Sequence, residues 1–361
     1  MAETMSYVTV QAGPLKAVVR AIVTSAGSSA REAELVAEQL VEANLTGHDS
    51  HGVGMLPRYI EVFLNGALKV NQHVSVVHDA GPLLRLDGNA GFGQVMGFEA
   101  MERGIERTAK HGVAVVGLFN SHHIGRIGHW AEQCIKAGYV SMHYVNVISE
   151  PVVAPFGGGD ARFVTNPFCV GIPLPGKEPI LLDFATSRIA MGKVRVAMNK
   201  GEQLKPETLL DHRGEPTTDP STLFADPHGA ILPFGEHKGY GLAVVCEILG
   251  GALTGGGTLH YKPPSRAIVN NMLSIIIDPH RLGTAANLEA ETAEFVKWVK
   301  RSPVAQGVDR IRIAGEPEQE SRRSRGAEGI PIDTTTWAEI IAAGASLGMK
   351  RQDMEKLAEF L

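Results

Sequence analysis

The sequence has few cysteines, few aromatic residues and no long apolar run, and each shortage excludes a class of protein. Its 361 residues include 3 cysteines. These are far apart and form no CxxC pair, so neither a thiolate zinc site nor a thioredoxin-type redox pair is predicted. Aromatic residues make up 6% of the chain, too few for a platform that stacks single-stranded nucleic acid. No apolar run approaches the roughly 18 residues of a membrane span, so we expect no membrane contact.

Basic residues are also scarce relative to acidic ones. The formal net charge is -5 and the sequence pI is about 6.3. A nucleic-acid-binding surface needs an excess of lysine and arginine to displace counterions, so a nucleic acid partner is excluded. The N-terminus has no basic region followed by an apolar one, as a secretory signal would. An odd, sparse set of cysteines is compatible with a reducing compartment, and we predict a cytoplasmic protein.

The chain is long, and its apolar residues follow both helical and strand periods. It exceeds the ~250–300 residues that one core usually supports, so more than one structural unit is predicted. Helices are predicted at 14–26, 30–45, 57–63, 98–111, 130–137, 240–253 and 289–300, and through the tail at 334–361. Strands are predicted at 74–77, 83–87, 113–118, 140–147, 180–184, 269–277 and 310–313. This mixture is typical of an α/β fold.

Three segments carry more specific expectations. The helix at 240–253 is apolar along its length and is expected to lie in the interior. The stretch 151–233 is rich in glycine and proline, and its one clear buried strand is at 180–184. The charged run at 318–329 is interpreted as a solvated linker or helix, which is the usual behaviour of such runs.

The standard nucleotide-binding motifs are missing. The nearest glycine fingerprint is formed by Gly91, Gly93 and Gly97. It places its last glycine one residue too far along, and no acidic residue follows on a strand end. Neither a P-loop nor a nucleophile elbow is present. A Rossmann fold is therefore not predicted, and these glycines are interpreted as packing or turn positions.

Histidines are concentrated in two polar stretches, 48–52 and 120–129, which hold five of the 14 in the chain. An imidazole needs only a small environmental shift to exchange protons near neutral pH, so these stretches indicate acid–base chemistry. A metal site is not predicted, because HExxH is absent and His122, His123 and His129 do not share a helix face. Taken singly, each histidine fits a capping or surface role as well.

Three further places suggest contact with an anion or a sugar hydroxyl. Gly125, Arg126 and Gly128 precede a predicted helix, where backbone N–H groups and a guanidinium can hold phosphate or carboxylate; an ordinary helix start fits equally. Asp183 ends an apolar strand and could accept from a ribose hydroxyl or cap the next helix. Lys238 opens the 240–253 helix, where it is expected either to be buried against an anion or to extend to solvent.

Seven motifs, in their order and spacing, resemble those of the malate/L-lactate dehydrogenase family of the second type. They are HDSHG at 48–52, NSHHIG at 120–125, TNP at 165–167, LDFATS at 182–187 with GK at 192–193, PTTDP at 216–220, HKGYG at 237–241 and GE at 315–316. The resemblance runs from about residue 10 to the C-terminus. It implies an α/β, non-Rossmann nucleotide-binding fold of the L-sulfolactate dehydrogenase-like type. Residues 1–75 with 318–361 would form a helical domain, and 76–317 the cofactor- and substrate-binding region.

The resemblance also implies an activity and a set of site residues. The activity is hydride transfer between NAD or NADP and a small 2-oxo or 2-hydroxy acid, by a homodimer with its site near the subunit interface. The implied catalytic residues are His51 as proton donor, Ser50 beside it in the pocket, and His123. The implied substrate-binding residues are Arg58, Tyr59, Arg126 and Thr165. The implied cofactor-binding residues are His51, Gly125, Arg126, Leu182, Asp183, Phe184, Ala185, Phe234, Lys238, Ile313, Ala314, Gly315 and Glu316.

Two positions depart from the family pattern. Many members carry an arginine four residues after the histidine of SHG, where this chain has Met55, and Arg58 and Arg126 are the nearest alternatives. Position 122 is histidine where many members have a small residue. The absence of arginine at position 55 leads us to expect a roomier pocket that accepts larger 2-oxo acids, including aromatic ones.

Two other functions and the choice of cofactor stay open. The first alternative is reduction of a cyclic imine carboxylate, which uses the same hydride geometry. The second is a non-catalytic nucleotide-binding protein on the same fold, against which the retained Ser50, His51 and Lys238 argue. Arg188, just after the predicted strand at 180–184, could meet the 2′-phosphate of NADP or be a surface residue.

Overall fold

The structure is a computed structural model that describes residues 7–261 and 267–360, in which helices and strands are mixed along the chain. The strands are β1 (Tyr7–Val10), β2 (Ser75–Ala80), β3 (Leu83–Asp87), β4 (Val113–His122), β5 (Val140–Ile148), β6 (Phe168–Ile172), β7 (Ile180–Phe184), β8 (Leu209–Leu210), β9 (Pro216–Thr217), β10 (Ala230–Ile231), β11 (Val269–Ile277) and β12 (Ile330–Asp333). The helices are α1 (Ala12–Ser25), α2 (Ala30–Leu45), α3 (Leu56–Leu64), α4 (Gly93–His111), α5 (Gly128–Lys136), α6 (Met191–Lys200), α7 (His237–Cys246), α8 (Ala285–Lys300), α9 (Glu316–Glu328), α10 (Thr334–Ser346) and α11 (Arg351–Ala358). Short 3₁₀ turns cover Asp49–His51, Val53–Met55 and Pro220–Leu223, and the π-helical turn Glu247–Ala252 continues α7.

A mixed sheet of seven strands organises the described part of the chain. Its order is β2-β3-β4-β11-β5-β6-β7. Among these described strands β3 and β4 pair in parallel, and the other neighbouring pairs are antiparallel. The α/β class is therefore confirmed. The sheet is not the parallel sheet of a Rossmann domain, in agreement with the failed glycine fingerprint.

The glycines of that failed fingerprint are packing positions. A Cβ on Gly93 would lie 2.1 Å from the carbonyl oxygen of His123, and one on Gly97 would lie 2.5 Å from the Trp130 ring. A Cβ on Gly91 would lie 2.7 Å from the Cβ of Gln72. Real Cβ atoms do not approach so closely, so α4 reaches the end of β4 and the face of α5 only because these residues lack side chains.

The two ends of the chain pack together. β1 pairs antiparallel with β12, from Tyr7 opposite Asp333 to Val10 opposite Ile330. Helix α1 packs between α2 and α11, and its Ile22 is fully buried in the same apolar core as Met354. That core continues without a break into the sheet, so the terminal helices and the sheet share one hydrophobic interior.

The stretch 151–233 holds more structure than its sequence predicts. Besides β7 it contains β6, α6 and a small sheet of order β10-β8-β9, which packs on a separate apolar cluster around Val153, Leu209 and Ile231. Strands of two residues carry no readable period, which explains why β8, β9 and β10 were missed. The turn Asp211–Gly214 that joins β8 to β9 is held by Asp211 N donating to Glu215 O at 2.8 Å.

Two expectations about individual elements are wrong. The segment 310–313 is not a strand, because it has no ladder partner among the described residues. The apolar helix begins at His237, and it is not fully interior: Val245, Ile248 and Leu253 are 41%, 49% and 61% exposed. One side of this helix packs on β5 while the other is open in the single chain. Across the described ranges, none of the helices combines the length and apolarity needed to cross a membrane.

Candidate active site

His51 lies on the 3₁₀ turn between α2 and α3, where it meets a second histidine from the end of β4. Its Nδ1 is 2.9 Å from Ser50 Oγ. Its ring stacks on that of His123, with centroids 5.5 Å apart and planes 25° apart. Two histidines from the two polar stretches are thus brought into one cluster.

The turn that carries His51 is attached to α2 through Asn44. Asn44 Nδ2 donates to Asp49 Oδ1 at 2.7 Å, and its Oδ1 accepts from Val53 N at 2.8 Å. A Cβ on Gly52 would lie 2.2 Å from Asn44 Oδ1. The glycine of the SHG motif is therefore required by this close approach.

Tyr59 and Gln94 orient His123. The Tyr59 hydroxyl is 2.6 Å from His123 Nδ1, and Gln94 Nε2 donates to the Tyr59 oxygen at 3.0 Å. Because that oxygen already accepts from Gln94, its own proton is available for His123 Nδ1. The neutral ring of His123 then carries its proton on Nε2.

His122 is enclosed without polar partners. Its side chain is 2% exposed, and neither ring nitrogen has a hydrogen-bond partner among the described residues. The ring stands edge-on to Tyr59, with centroids 5.3 Å apart. Buried polar atoms are nearly always hydrogen-bonded, so this imidazole indicates a position where a ligand or water completes the cluster.

Burial keeps the three histidines uncharged at neutral pH. It lowers the pKa of His51 to about 4, with smaller contributions from His48 and Arg126. It also lowers the pKa of His122 to about 4, helped by the positive charge of Arg58. The pKa of His123 is held well below its usual value by burial and by the neighbouring imidazoles. The cluster therefore disfavours more than one proton at a time.

A buried arginine lies beside the end of β7. Arg126 is 2% exposed, and its Nη2 donates to Glu132 Oε2 at 2.6 Å. Its Nε and Nη1 have no hydrogen-bond partner among the described residues. Gly128 N, at the start of α5, donates to Asp183 Oδ2 at 2.7 Å, and burial raises the pKa of Asp183 against the opposing effect of Arg126. Two unbonded guanidinium nitrogens beside a helix start can hold an anion.

The loop before α9 lies against β7. Leu181 N donates to Ala314 O at 3.1 Å. Gly315 has φ +98°, and a Cβ there would lie 3.1 Å from Leu181 N, so both the backbone conformation and the contact require glycine. Glu316 accepts from Ile313 N at 3.0 Å and pairs with Lys300. The two sequence-distant parts of the predicted cofactor set are thus neighbours.

The remaining predicted residues are placed less uniformly. Phe184 meets Phe234 edge-on at 5.2 Å, and the carbonyl of Thr165 accepts from Thr186 N at 2.9 Å just past β7. Leu182, within β7, is 37% exposed, and Ala185 follows the strand directly. Lys238 is exposed at the start of α7, as the second of its two alternatives, a side chain that extends to solvent, predicted.

Two other predicted residues, Gly125 just after β4 and Arg58 on α3, lie close to the histidine cluster or to the segments that carry it. Gly125 has φ +69°, and a Cβ there would lie 2.0 Å from Gln39 Nε2, which itself donates to Ile124 O at 3.0 Å. Arg58 precedes Tyr59 on α3, close enough for its charge to act on His122. Among the described residues, no group of three or more His, Cys, Asp and Glu side chains is arranged to hold a metal ion.

Several residues around the cluster were missed by sequence reasoning. His48 Nε2 is 3.2 Å from Glu318 Oε1, and Arg322 donates from Nε to Glu42 at 2.6 Å and from Nη2 to Glu132 at 2.9 Å. The charged run is therefore a helix, as one interpretation allowed, but one of its faces is engaged with α2 and α5 rather than solvated. Ion pairs between residues far apart in the chain leave no pattern in the local sequence. The only indication of them was the high density of arginine and glutamate at 318–329.

The chain matches the family model described as "Malate/L-lactate dehydrogenase" over residues 10–341. It is 48% identical over 350 residues to hydroxycarboxylate dehydrogenase B of Escherichia coli (strain K12), covering 96% of both chains. An Escherichia coli structure described as a malate/lactate dehydrogenase superposes with a TM-score of 0.94 at 47% identity, covering 97% of this chain and 98% of the other. Sulfolactate dehydrogenase from Methanocaldococcus jannaschii superposes with a TM-score of 0.84 at 30% identity, covering 96% and 99%.

Proposed function

This chain belongs to the malate/L-lactate dehydrogenase family and is a 2-hydroxy acid dehydrogenase, and from that assignment we propose that it transfers hydride between NADH or NADPH and a 2-oxo acid, with His51 as the proton donor. The observation that carries the proposal is the stacked pair of half-buried His51 and buried His123, whose ring centroids are 5.5 Å apart. Histidines enclosed in this way are suited to acid–base work on a bound oxygen. The enzyme is an oxidoreductase that acts on a CH–OH group.

The residues at the end of β7 fit a dinucleotide. Arg126 offers two buried guanidinium nitrogens without partners, beside the N-terminus of α5, which is a place for phosphate. Asp183 lies in the same place and can accept from a sugar hydroxyl through the oxygen that Gly128 leaves free. A Cβ at Gly315 would crowd β7. We therefore propose that the β7 end, the 313–316 loop and Phe234 hold the cofactor, with Lys238 and Gly125 at its edges.

The chain's own residues manage the proton. When bound, the nicotinamide supplies the hydride. Ser50 Oγ occupies His51 Nδ1, so Nε2 is the atom that gives the proton to the substrate oxygen. An imidazolium there also stabilises the negative charge that develops on that oxygen. Tyr59 and Gln94 keep His123 in a fixed tautomer beside it.

Substrate binding prepares His51 for this step. In the free enzyme burial lowers the pKa of His51 to about 4, so the ring is neutral at pH 7. A carboxylate within ~4–6 Å favours the charged form and raises the pKa by roughly 1–3 units. The acid group of a 2-oxo acid thus brings the charge that lets His51 hold a proton.

We propose that Arg58 and one of the two unbonded nitrogens of Arg126 hold the substrate carboxylate, the other nitrogen being left for the cofactor phosphate. Tyr59 and Thr165 lie beside the carboxylate in this proposal, and no arginine is available at position 55, which is methionine. Arg58 precedes Tyr59 on α3 and its charge acts on His122, whose ring nitrogens have no hydrogen-bond partner among the described residues. A guanidinium is suited to a carboxylate because its donors form a planar fork. Replacing the arginine at 55 by Met55 leaves room for a larger substituent on the substrate.

A panel of substrates tests the proposed reaction. We measure kcat/KM for oxaloacetate, pyruvate, phenylpyruvate and Δ1-piperideine-2-carboxylate, each with NADH and with NADPH. The roomier pocket predicts a higher kcat/KM for phenylpyruvate than for oxaloacetate. A strong preference for oxaloacetate contradicts the roomier pocket, and turnover of the cyclic imine alone favours the imine reductase alternative. Absence of turnover with all four compounds, together with cofactor binding seen by fluorescence, favours the non-catalytic alternative.

Arg58→Met is expected to raise KM for the 2-oxo acid by about 10- to 100-fold, because a hydrogen bond to a charged group contributes roughly 1.5–3 kcal/mol. The loss should fall mainly on KM, since a carboxylate contact is made equally in the ground and transition states. Arg162→Met is the matched control, because Arg162 is 67% exposed and paired with Asp160. Equal effects of the two substitutions would rule out Arg58 as a substrate ligand.

We propose that the enzyme is a homodimer whose interface covers α7 and α8. Helix α8 carries large apolar side chains but has no buried residue along its fully described length. Its Phe295 and Trp298 are 62% and 72% exposed. The outer side of α7 and its π-helical turn exposes Val245 and Ile248. Groups of large apolar side chains exposed on a folded protein often mark an interaction surface. Because Lys238 starts α7 and Lys300 ends α8 beside Glu316, a second copy there adjoins the cofactor region.

Placing a carboxylate on either helix is expected to shift the dimer toward monomer. The variants are Ile248→Glu and Trp298→Glu, with Val76→Glu on the exposed strand β2 as control. Sedimentation velocity at several concentrations measures the effect. The dimer is contradicted if the unmodified enzyme sediments as a monomer. The interface is contradicted if both helix variants remain as dimeric as Val76→Glu.

We further propose that the nucleotide-binding fold is of the sulfolactate dehydrogenase type, with 1–75 and 318–361 as a helical unit and 76–317 as the ligand-binding unit. The pairing of β1 with β12 supports the first unit and the mixed sheet supports the second, and the two share one hydrophobic interior. A cytoplasmic location is supported by the three cysteines, all of them buried and unpaired.

A further inference from the structure

Helix α9 connects the proposed cofactor loop to the turn that carries His51. It starts at Glu316, directly after the loop whose Ala314 accepts from Leu181. Near its other end Arg325 donates from Nη1 and Nη2 to the two oxygens of Asp49, at 2.6 and 3.0 Å. A helix of 13 residues spans about 20 Å, so a single stiff element connects these two places.

The turn Asp49–His51 depends on hydrogen bonds for its position. None of its three residues is buried, so apolar packing does little to hold it. The Asp49 carboxylate accepts hydrogen bonds from two partners, from Asn44 Nδ2 at 2.7 Å and from Arg325. Arg325 Nη1 also donates to the carbonyl of Asn44 at 2.5 Å. A two-pronged arginine–carboxylate pair fixes direction as well as distance.

A second set of contacts along α9 reaches Arg126. Arg322 Nη2 donates to one oxygen of Glu132 at 2.9 Å, and the other oxygen accepts from Arg126 at 2.6 Å. Burial opposes the ionised form of Glu132, but the two arginines outweigh it and lower its pKa. Glu318 meets His48, the residue before the turn, at 3.2 Å. The same helix thus contacts the surroundings of both the anion site and the catalytic turn.

We infer that α9 aligns His51 with the cofactor loop, and that Arg325 is a positioning residue for proton transfer. The inference rests on the proposed role of His51. Without Arg325, Asp49 keeps its hydrogen bond from Asn44 but loses the ion pair with Arg325. The His51 ring can then move relative to the substrate. The contacts of the 313–316 loop with β7 do not involve Arg325, so cofactor binding is preserved.

Arg325→Met is expected to lower kcat for 2-oxo acid reduction by about 10- to 100-fold, because small misplacements of a reacting group have effects of that size. KM for the reduced cofactor should stay within about twofold. Arg323→Met is the matched control on the same helix: Arg323 is 66% exposed and lies 3.7 Å from Glu178. Exposed pairs of that kind contribute little, so the control should keep its kcat.

Two further measurements separate positioning from a general loss of structure. The double variant Asp49→Asn/Arg325→Met should have a kcat no lower than that of the slower single variant, since both substitutions weaken the same Arg325–Asp49 contact. Arg325→Lys should recover part of kcat because lysine keeps one bond to Asp49. Thermal unfolding of each variant shows whether the fold is intact. A kcat of Arg325→Met within twofold of the unmodified enzyme, or strict additivity of the two substitutions, overturns the inference.

A readout without turnover distinguishes this inference from the proposed function. The rate of diethylpyrocarbonate labelling of His51, followed by mass spectrometry of the peptide, reports how freely the ring is presented. Arg325→Met should label several-fold faster than Arg323→Met. Unchanged labelling overturns the positioning role. Faster labelling in an enzyme that reduces none of the tested substrates upholds it while the proposed function fails.

Discussion

Replacing His51 with alanine is expected to lower kcat for 2-oxo acid reduction by about 10²–10⁴-fold, the range that a positioned proton donor contributes. Ser50, 2.9 Å from His51 Nδ1, cannot take over, because a hydroxyl is far too weak an acid at neutral pH. The fold should survive, since the turn carrying His51 has no buried residue. Steady-state rates with the best substrate of the panel measure the loss, and cofactor fluorescence measures whether binding remains.

Two further histidine variants make the His51 result interpretable. His212→Ala, on the exposed turn between β8 and β9, removes an imidazole without touching the cluster and should leave kcat unchanged. His123→Ala removes the ring that stacks on His51 and bonds Tyr59. If His51→Ala retains most of its activity while His123→Ala loses it, the proton donor is His123 and our assignment is wrong.

The kcat/KM for 2-oxo acid reduction is expected to fall about tenfold for each pH unit across the neutral range. Burial lowers the pKa of His51 to about 4 in the free enzyme, and kcat/KM reports the pKa values of the free enzyme. Reduction needs the protonated ring, so its kcat/KM should decline steadily from about pH 5 to pH 8, following the protonated fraction. Oxidation of the 2-hydroxy acid needs the neutral ring, so its kcat/KM should be nearly flat over the same range.

If kcat/KM for reduction stays constant up to about pH 6.5, the ordinary pKa of histidine, the pKa of the proton donor is not lowered and this prediction is contradicted. The slope in His51→Ala, measured on its residual activity, should be much shallower than in the unmodified enzyme. Because the substrate carboxylate favours the charged ring, the decline in kcat itself should begin at a higher pH than the decline in kcat/KM. Tryptophan fluorescence at each pH confirms that the enzyme remains folded.

The elements that were read correctly are those with a clear local period. The predicted ranges 30–45, 83–87, 180–184 and 269–277 coincide with α2, β3, β7 and β11. Helix α4 begins at Gly93 rather than at 98, because its first turn is packed through glycines that look like loop residues. The two-residue strands of the small sheet depend on their partners. The segment 310–313 alternates charged and apolar residues as a strand does, but it has no ladder partner among the described residues.

The candidate site divides in a similar way. The two histidine stretches, the Asp183 strand end and the Gly315 loop are visible as motifs in the sequence. Gln94, Asn44 and Arg325 are not, because each acts through one contact with a residue far away in the chain. The exposure of α7 was also misjudged, since an apolar helix looks the same whether the protein's own core or another surface covers it.

By itself, the sequence determined the class of this protein. Its charge argued against a nucleic acid partner, its failed glycine fingerprint argued against a Rossmann fold, and its motifs indicated the family. Only the tertiary structure decided that β11 lies between β4 and β5, that His51 stacks on His123 and that α9 grips Asp49. The reason is physical: periodicity and motifs record what each segment needs locally. Burial, pKa shifts and ion pairs arise from neighbours that only folding brings together.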